Sequence, residues 1–368
     1  MTELFDNIFL YYRGRVALAE LLRCFGVKKG DYVAIQAYTC SAVPEGVIST
    51  GAIPLYIDTI FNGLTMCPHD LEKKIKENPS VKVIVLQHTF GLPANITQVS
   101  LVAKKYGLHM IEDCCHTFNS EFEGVRVGNI ADASFFSFEW GKPISIGLGG
   151  AIRTSNKAIQ KKLKKQYMKF VYPPIYKEIQ LILQKIAFSL LYKPSTYWIL
   201  KKIFNYLSNR NLISGNHSES IFNLNFKEFN WKMSKFCKFL LNRSTQRLGN
   251  FEDVSKQVSN IYNQELLGFK NHKLVGNKNS KTIFVRYPMF VNDKDRVLRK
   301  ASDSMIEVSS WYSSPVHPYT GDELTKIHYI LGSCPNAEFA AKNVISLPVT
   351  HIPKKNYMEK VRKVIGST

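Results

Sequence analysis

Lys142 is the only lysine between Lys105 and Lys157, and it follows an acid, an imidazole and a hydroxyl in the order Asp113, His116, Ser137, Lys142. A primary amine can condense with an aldehyde and then carry a proton between two carbons. A lone turn lysine is ordinarily a solvated charge, so the residues around it decide the matter. Asp113 ends the run His109-Met110-Ile111-Glu112-Asp113, which reads as a buried strand. Open α/β sheets place their ligands at the carboxyl ends of such strands. A second strand, Ala133 to Phe138, carries Ser137. Lys142 lies in the turn behind it, followed by the flexible Gly147-Leu148-Gly149-Gly150 and a strand from Ala151 to Thr154. An acid at a strand end, a hydroxyl and one lysine in this order suit a pyridoxal phosphate site.

The elements that must position these groups are legible in the periodicity. Leu18, Leu21 and Leu22 recur at helical spacing within a helix from about Arg15 to Phe25, closed by Gly26. Tyr32 to Gln36, Pro54 to Ile57, Val81 to Gln87 and His109 to Ile111 read as short buried strands. Helices fit between them at about Val43 to Ser49, His69 to Asn78 and Ile96 to Tyr106. Such alternation predicts an α/β fold with a mostly parallel central sheet covered by helices. From Asn250 to Leu267 the pattern becomes an amphipathic helix. A strand at Thr282 to Pro288, a helix at Lys294 to Ser304, strands at Ser309 to Tyr312 and Val344 to Leu347, and a last helix at Lys354 to Ile365 complete a smaller α+β lobe. The expected division is a large cofactor-binding domain over 1–249 and a small domain over 250–368.

With these residues in place, the chain resembles the sugar aminotransferases of the DegT/DnrJ/EryC1/StrS family, a branch of the fold-type I pyridoxal phosphate enzymes. Family members read as an Ile-Glu-Asp strand end, a Gln or His three residues after the Asp, a Gly-Asp-Ala strand, Ser-Phe-x-x-x-Lys and a glycine-rich turn. This chain supplies Asp113, His116, Asp132-Ala133, Ser137-Phe138, Lys142 and Gly149-Gly150. Further matches at Gly30 to Val33, Gly51 to Pro54, Gly91 to Ala94, Trp311 to His317 and Asn336 to Glu338 extend the resemblance over nearly the whole chain.

The resemblance implies a fold-type I transferase that binds pyridoxal 5'-phosphate, with Lys142 as Schiff-base former and proton shuttle. Asp113 would pair with the pyridinium nitrogen, His116 would approach the ring or its phenolic oxygen, and Ser137 would add a hydroxyl to the phosphate. Gly14 keeps the family's glycine at the phosphate helix. Arg15 stands where Thr is usual, and a charge-assisted phosphate contact is expected from it. Asn230, in Asn230-Trp231-Lys232-Met233-Ser234, resembles an Asn that reaches the phosphate of the partner subunit, which implies a homodimer with shared active sites. Cys40 occupies the position of a stacking aromatic, leaving Tyr38 to substitute or the stacking absent. Tyr312, Ser313 and His317 resemble a Tyr-x-x-Pro-x-His stretch near the pocket mouth, where either substrate contact or packing would account for them. No metal site is expected.

The implied activity is transfer of an amino group to a keto-sugar, nucleotide-linked or lipid-linked, from glutamate or glutamine. Its setting would be amino sugar biosynthesis for a surface polysaccharide, a lipopolysaccharide or a related glycoconjugate. Relatives that dehydrate sugars replace the lysine with histidine, and Lys142 argues against that branch. Two readings compete: a catalytically silent binding or regulatory protein, given Cys40, Arg15 and a Leu148 where Glu is frequent, or a membrane-associated variant acting on a non-sugar ketone.

A chain of 368 residues with 45% apolar content can bury a large core. Seven cysteines without regular spacing support neither a disulfide framework nor zinc. No run reaches the roughly 18 apolar residues of a spanning helix, and a cytoplasmic protein is expected. The net charge of +20 is localised: Lys157 to Arg243 holds 17 Lys and Arg against three acidic residues. Within it an insertion at about 170–215 predicts two helices, Tyr176 to Tyr192 and Ser195 to Leu207, separated by Lys193-Pro194. Their aliphatics exceed one packed stripe and are interspersed with Lys177, Lys185, Lys201 and Lys202. Peripheral contact of 172–211 with the inner face of an anionic membrane is one expectation, and packing in a dimer is the other. Nucleic acid is not expected, since a basic groove would carry less aliphatic surface.

Overall fold

The computed structural model describes residues 8–193, 195–210, 212–213, 229–244, 248–269 and 276–366. β1 (Phe9–Tyr11), β2 (Tyr32–Gln36), β3 (Ile53–Ile57), β4 (Val81–Gln87), β5 (His109–Asp113), β6 (Ala133–Ser137) and β7 (Gly150–Arg153) form one sheet, ordered β1-β7-β6-β5-β4-β2-β3. The neighbours from β6 to β3 pair in parallel, while β7 runs antiparallel to β6 and to β1. The helices that connect or cover them are α1 (Gly14–Cys24), α2 (Ala42–Ile48), α3 (Pro68–Glu77), α4 (Ile96–Tyr106) and α5 (Lys157–Tyr167). Both faces of the sheet are packed, as the apolar runs require: Val33, Ile35, Val83 and Val85 enter one core cluster, and Ala34, Ile84 and Leu86 enter another. That split follows the two-residue period of a strand. α4 shows why the boundaries were readable. Asn95 accepts from the amide of Gln98 at its start, and Gly107 takes a left-handed conformation (φ 64°) at its end.

After α5 come α6 (Ile175–Leu191), α7 (Tyr197–Asn209) and α8 (Lys235–Ser244). α6 and α7 are the two helices expected in the insertion; Pro194 lies outside the described residues. Leu181 is the one buried residue of α6. Glu178 accepts from the amides of Lys235 and Phe236 and so caps α8. Among the described residues no helix is long and apolar enough to cross a membrane.

α9 (Leu248–Glu265) enters a separate core, where Val258 and Tyr262 meet Tyr287, Met289, Val297, Ile345, Leu347 and Val361. Around it lie β8 (Arg286–Phe290), α10 (Lys294–Asp303), β9 (Val344–Pro348) and α13 (Lys355–Gly366), whereas α11 (Asp322–Lys326) and α12 (Pro335–Asn343) bury Leu324, Ala337, Ala340 and Ala341 in the first core cluster. β8 and β9 pair antiparallel. Two expectations change here. The strand predicted from Thr282 begins only at Arg286, because the amides of Ile283 and Val285 donate to Ser120 Oγ and Phe90 O of the large lobe. Ser309 to Tyr312 is not a strand. Ser309 makes a single bridge to Ser346, and the chain then turns so that the Tyr312 carbonyl accepts from Lys294 Nζ at 2.8 Å.

Candidate active site

β4 and β5 end side by side, with Gln87 paired to Asp113 and Asp113 to Phe135 of β6. This register brings Gln87, Asp113 and Ser137 to one cavity. α1 forms another of its walls through Gly14 and Arg15. A Cβ on Gly14 would lie 3.1 Å from Ser137 Cβ and 3.4 Å from its Oγ, so only glycine lets the first turn of the helix reach the strand end. Gly150 answers the same need from β7, since a Cβ there would come within 2.4 Å of Arg13 O. Arg13, at the N-cap, supplies no side-chain cap to α1. The amides of a helix's first turn together with its dipole favour an anion.

Arg15 is engaged in a different way from the one expected of it. Its Nη1 donates to Glu45 Oε2, and Tyr319 donates to the other carboxylate oxygen at 2.9 Å. Burial raises the Glu45 pKa, and the Arg15 charge opposes that rise. Arg15 Nε is buried with no hydrogen-bond partner and remains a donor at the cavity wall. Asp113 is 3% exposed and accepts from the amide of Cys115 at 2.9 Å. Burial pushes its carboxyl above the usual range, with the Cys115 amide and the Lys142 ammonium opposing. A cationic N–H would meet that buried acid's need for a partner.

The same strand end is held from behind. His88 Nδ1 accepts from the amide of Ala94, so Nε2 carries the proton and donates to Glu112 Oε2 at 3.1 Å. Glu112 also accepts from the amides of Gly128, Ile130 and Ala131. These bonds occupy the oxygen and nitrogen donors of the buried His88, Glu112 and Cys114 group, the one cluster of metal-ligating types among the described residues.

His116 is neutral: burial, and then the Lys142 charge, push its pKa well below the usual imidazole range. Its Nδ1 accepts from the amide of Phe90 at 3.1 Å, which leaves Nε2–H for Tyr312 Oη at 3.3 Å. Trp311 stacks on the imidazole with centroids 5.2 Å apart. Lys142 lies in a turn closed by its amide on Glu139 O, and its Nζ is 5.3 Å from the Trp311 ring centroid. Gly141, between them, has φ 77° and would place a Cβ 3.0 Å from Trp311, so both conformation and space demand glycine.

The cavity therefore gathers Gly14, Arg15, Cys40, Asp113, His116 and Ser137 together with Lys142, Tyr312 and His317. Tyr38 is not among its lining residues. With φ 61° it turns its ring edge-on to Tyr312, and its hydroxyl donates to Trp311 O at 2.9 Å. Ser313 is exposed, with its hydroxyl 2.7 Å from His317 Nδ1. Asn230 is exposed and likewise outside the lining, and its carbonyl accepts from the amide of Val171. Gln87, Cys115, Glu139, Trp140 and Trp311 line the cavity without having been singled out. For Gln87 the signal was available, because it ends a buried strand as Asp113 does. For Trp311 there was none, since its place beside His116 is set by a contact far along the chain.

An acid held off water, a helix start beside a serine and an uncommitted guanidinium nitrogen, and a lysine facing them match the three functional ends of pyridoxal phosphate. The DegT/DnrJ/EryC1/StrS aminotransferase family matches residues 13–178 and 199–366, and the chain belongs to that family. It is 35% identical over 146 residues to the GDP-perosamine synthase of Escherichia coli O157:H7, a stretch covering 40% of each chain. It is 22% identical to the UDP-N-acetyl-3-dehydro-alpha-D-glucosamine 3-aminotransferase of Acidithiobacillus ferrooxidans over 96% of this chain and 82% of that one. An L-glutamine:2-deoxy-scyllo-inosose aminotransferase of Streptomyces kanamyceticus is 30% identical over 41% of this chain and 35% of its own. The chain thus spans less than half the length of the first and third of these relatives.

Among solved structures, the aminotransferase from Psychrobacter cryohalolentis superposes with a TM-score of 0.75 at 17% identity, covering 100% of this chain and 89% of that one. An E. coli GDP-4-keto-6-deoxy-D-mannose-3-dehydratase with bound hydrated PLP gives 0.73 at 15% identity, covering 99% and 90%. At such identities the likeness establishes the fold, a pyridoxal phosphate transferase sheet with its helices. Membership of this aminotransferase family indicates pyridoxal phosphate as the cofactor.

Proposed function

We propose that this chain transfers an amino group from glutamate or glutamine to a keto-sugar on a nucleotide or lipid carrier, for an amino sugar of a surface polysaccharide, lipopolysaccharide or related glycoconjugate. The observation that carries the reading is the Lys142 side chain at the wall of a cavity that Asp113 and the start of α1 also line. Pyridoxal phosphate supplies, when bound, an aldehyde and an electron-accepting ring. Lys142 Nζ would be the nucleophile for that aldehyde and the group that carries the proton between carbons. Asp113 would hold the proton on the ring nitrogen, which would keep the ring an electron sink. Gly14 opens the helix start to the phosphate, with Ser137 Oγ and Arg15 Nε as side-chain donors. Neutral His116 orients the Tyr312 hydroxyl, and Trp311 excludes water from the face it covers.

The presence of a dehydratase among the fold relatives makes the lysine the discriminating residue, and Lys142 supports transamination over dehydration. Borohydride reduction of the purified protein followed by peptide mass spectrometry tests this. A pyridoxyl adduct on Lys142 is expected, whereas an unmodified Lys142 leaves the alternative of a silent binding protein.

Two features extend the reading. Exposed Asn230, outside the cavity of its own chain, supports a homodimer in which it serves the partner subunit's site. Mixing inactive Lys142→Ala and Asn230→Ala subunits should then restore part of the activity. The second is peripheral membrane contact through 172–211, supported by apolar residues that face solvent along α6: Ile175 is 74% exposed, Leu183 62% and Leu190 71%. Ile175, Ile179, Leu183, Ile186 and Leu190 follow one face at helical spacing. Lys177, Lys193, Lys201 and Lys202 lie around them, whereas protein interfaces are depleted in lysine. Co-sedimentation with anionic and with zwitterionic vesicles tests this contact; equal partitioning would remove it.

A further inference from the structure

The family match stops at residue 178 and resumes at 199, so the body of α6 and the start of α7 lie outside it. Although most of α6 faces solvent, its last turns make two sets of inward contacts. Toward the large lobe, Lys185 Nζ donates to Ser145 O at 3.1 Å and lies 5.4 Å over the Trp140 ring, and the Phe188 ring packs 4.6 Å from Trp140. Toward the small lobe, Tyr192 stacks on Phe188 and donates to Glu307 Oε2 at 2.7 Å. Glu307 accepts from Arg286 at 2.8 Å, and the Arg286 guanidinium lies 5.9 Å from the centroid of the Trp311 ring. α7 adds a bond from Trp198 Nε1 to Ile306 O at 2.7 Å.

The two end points of this chain of contacts are the two tryptophans of the cavity. Trp140 sits in the turn two residues before Lys142, and Trp311 is the ring that Lys142 faces. Gly147 backs Trp140 on one side, where a Cβ would come within 3.2 Å; Phe188 and Lys185 provide the contacts from α6. These contacts add to the turn's others, in which Glu139 pairs with Arg13 at 3.6 Å, Lys142 lies against Trp311, and Ile144 and Ile146 are buried. We propose that the end of α6 is a brace across the cleft, in which Lys185, Phe188 and Tyr192 are positioning residues that set the Lys142 turn against the Trp311 wall. The brace explains why an insertion with so much solvent-facing surface ends in a half-buried aromatic and ionic relay at the site. It rests on the reading of Lys142 as the cofactor-bearing lysine.

Amide exchange of the apoprotein over residues 139–149, read by mass spectrometry, needs no cofactor and tests the brace directly. In Phe188→Ala this segment should exchange about tenfold faster, and in the holoenzyme the pH midpoint of the visible cofactor band should move by about half a unit. Phe188→Tyr should return both to wild-type values. A folded Phe188→Ala with unchanged exchange and an unchanged midpoint overturns the proposal. If Phe188→Ala does not fold, Tyr192→Phe removes a single hydroxyl and should speed exchange over 305–311; a folded Tyr192→Phe without that change overturns the relay. A wild-type protein lacking a pyridoxyl adduct on Lys142 would refute the functional reading instead, and the exchange result would still decide the brace.

Discussion

In the cavity between β5, β6 and α1, polar groups are buried and held. Asp113 accepts from an amide and Arg15 is paired with Glu45, while behind the cavity Glu112 accepts from three amides and His88. In the α6–α7 hairpin the arrangement is inverted, with aliphatic side chains facing water among scattered lysines and one acid, Glu178, already committed to capping α8. The first region is short of a ligand's charges. The second is short of apolar surroundings. Burying charge is unfavourable unless something pairs it, and a large exposed apolar face marks an interaction surface. Each region is thus incomplete in the currency its partner would supply: a cationic ring and an anionic phosphate for one, an apolar layer with negative headgroups for the other.

The comparison breaks most sharply at Lys142. Lys142→Ala should lower transamination by about 10⁴-fold or more, since it removes nucleophile and proton carrier together. Its side chain is only partly buried in a turn, so the melting temperature of the apoprotein should hardly move. Retention of normal turnover in a folded variant would remove the functional reading.

Asp113→Asn separates chemistry from stability. Turnover should fall about 10²- to 10³-fold, because the neutral amide no longer holds the ring nitrogen protonated. The apoprotein should become more stable. Burial raises the folded-state pKa of Asp113 above its unfolded value, so the folded chain binds the proton more tightly. Stability from this group then falls as pH rises between the two values, and the loss is complete above the folded pKa. Removing the charge should raise the melting temperature measured above that window by about 1–3 °C. A lower melting temperature would make Asp113 a structural residue.

How much of this was readable depended on how far apart in the chain the deciding residues lie. Val81–Gln87 and Ile96–Tyr106 carry their period and their capping residues within themselves, so sequence and structure coincide there. Asp113 and Lys142 were legible through their order along adjacent segments. The Ser309 to Tyr312 stretch has strand-like composition, yet Lys294 captures the Tyr312 carbonyl and the chain turns away. Tyr38 has an aromatic ring at the right place in sequence, but its positive φ directs it to Tyr312 and the Trp311 carbonyl. The fit of Trp311 against Gly141 depends on a contact between distant parts of the chain, which no local pattern contains.

The hairpin side of the comparison is sharpened by Ile179→Ser, Leu183→Ser and Leu190→Ser combined. Partitioning onto anionic vesicles should drop about 10- to 100-fold, as three partly buried aliphatic contacts are lost. Stability in solution should stay within about 0.5 kcal/mol per site, since these side chains are exposed. An unchanged partition with a changed sedimentation coefficient would assign the face to a second copy of the chain.

The smallest effect lies where the two regions meet electrostatically. Lys294 is buried, and its Nζ donates to the carbonyls of Tyr312 and Ala341 at 2.8 and 2.7 Å. Its pKa is lowered to about 8, chiefly by burial and in part by Lys201 of α7, with Asp295 opposing. Here the folded pKa lies below the unfolded one, so the folded chain releases its proton first as pH rises. Between pH 8 and the unfolded value the unfolded chain holds more protons, and stability from this group increases with pH across that window. Below it the unfavourable contribution is constant. Denaturant titrations from pH 7.5 to 10 should therefore show a gain in wild type, at most about 3 kcal/mol, that is missing in Lys294→Met. Lys201→Gln removes the repulsion and should shrink the gain by a few tenths of a kcal/mol. If Lys201→Gln leaves the profile unchanged, the hairpin's charge does not reach the segment that carries Trp311 and Tyr312, and the two regions are coupled through packing alone.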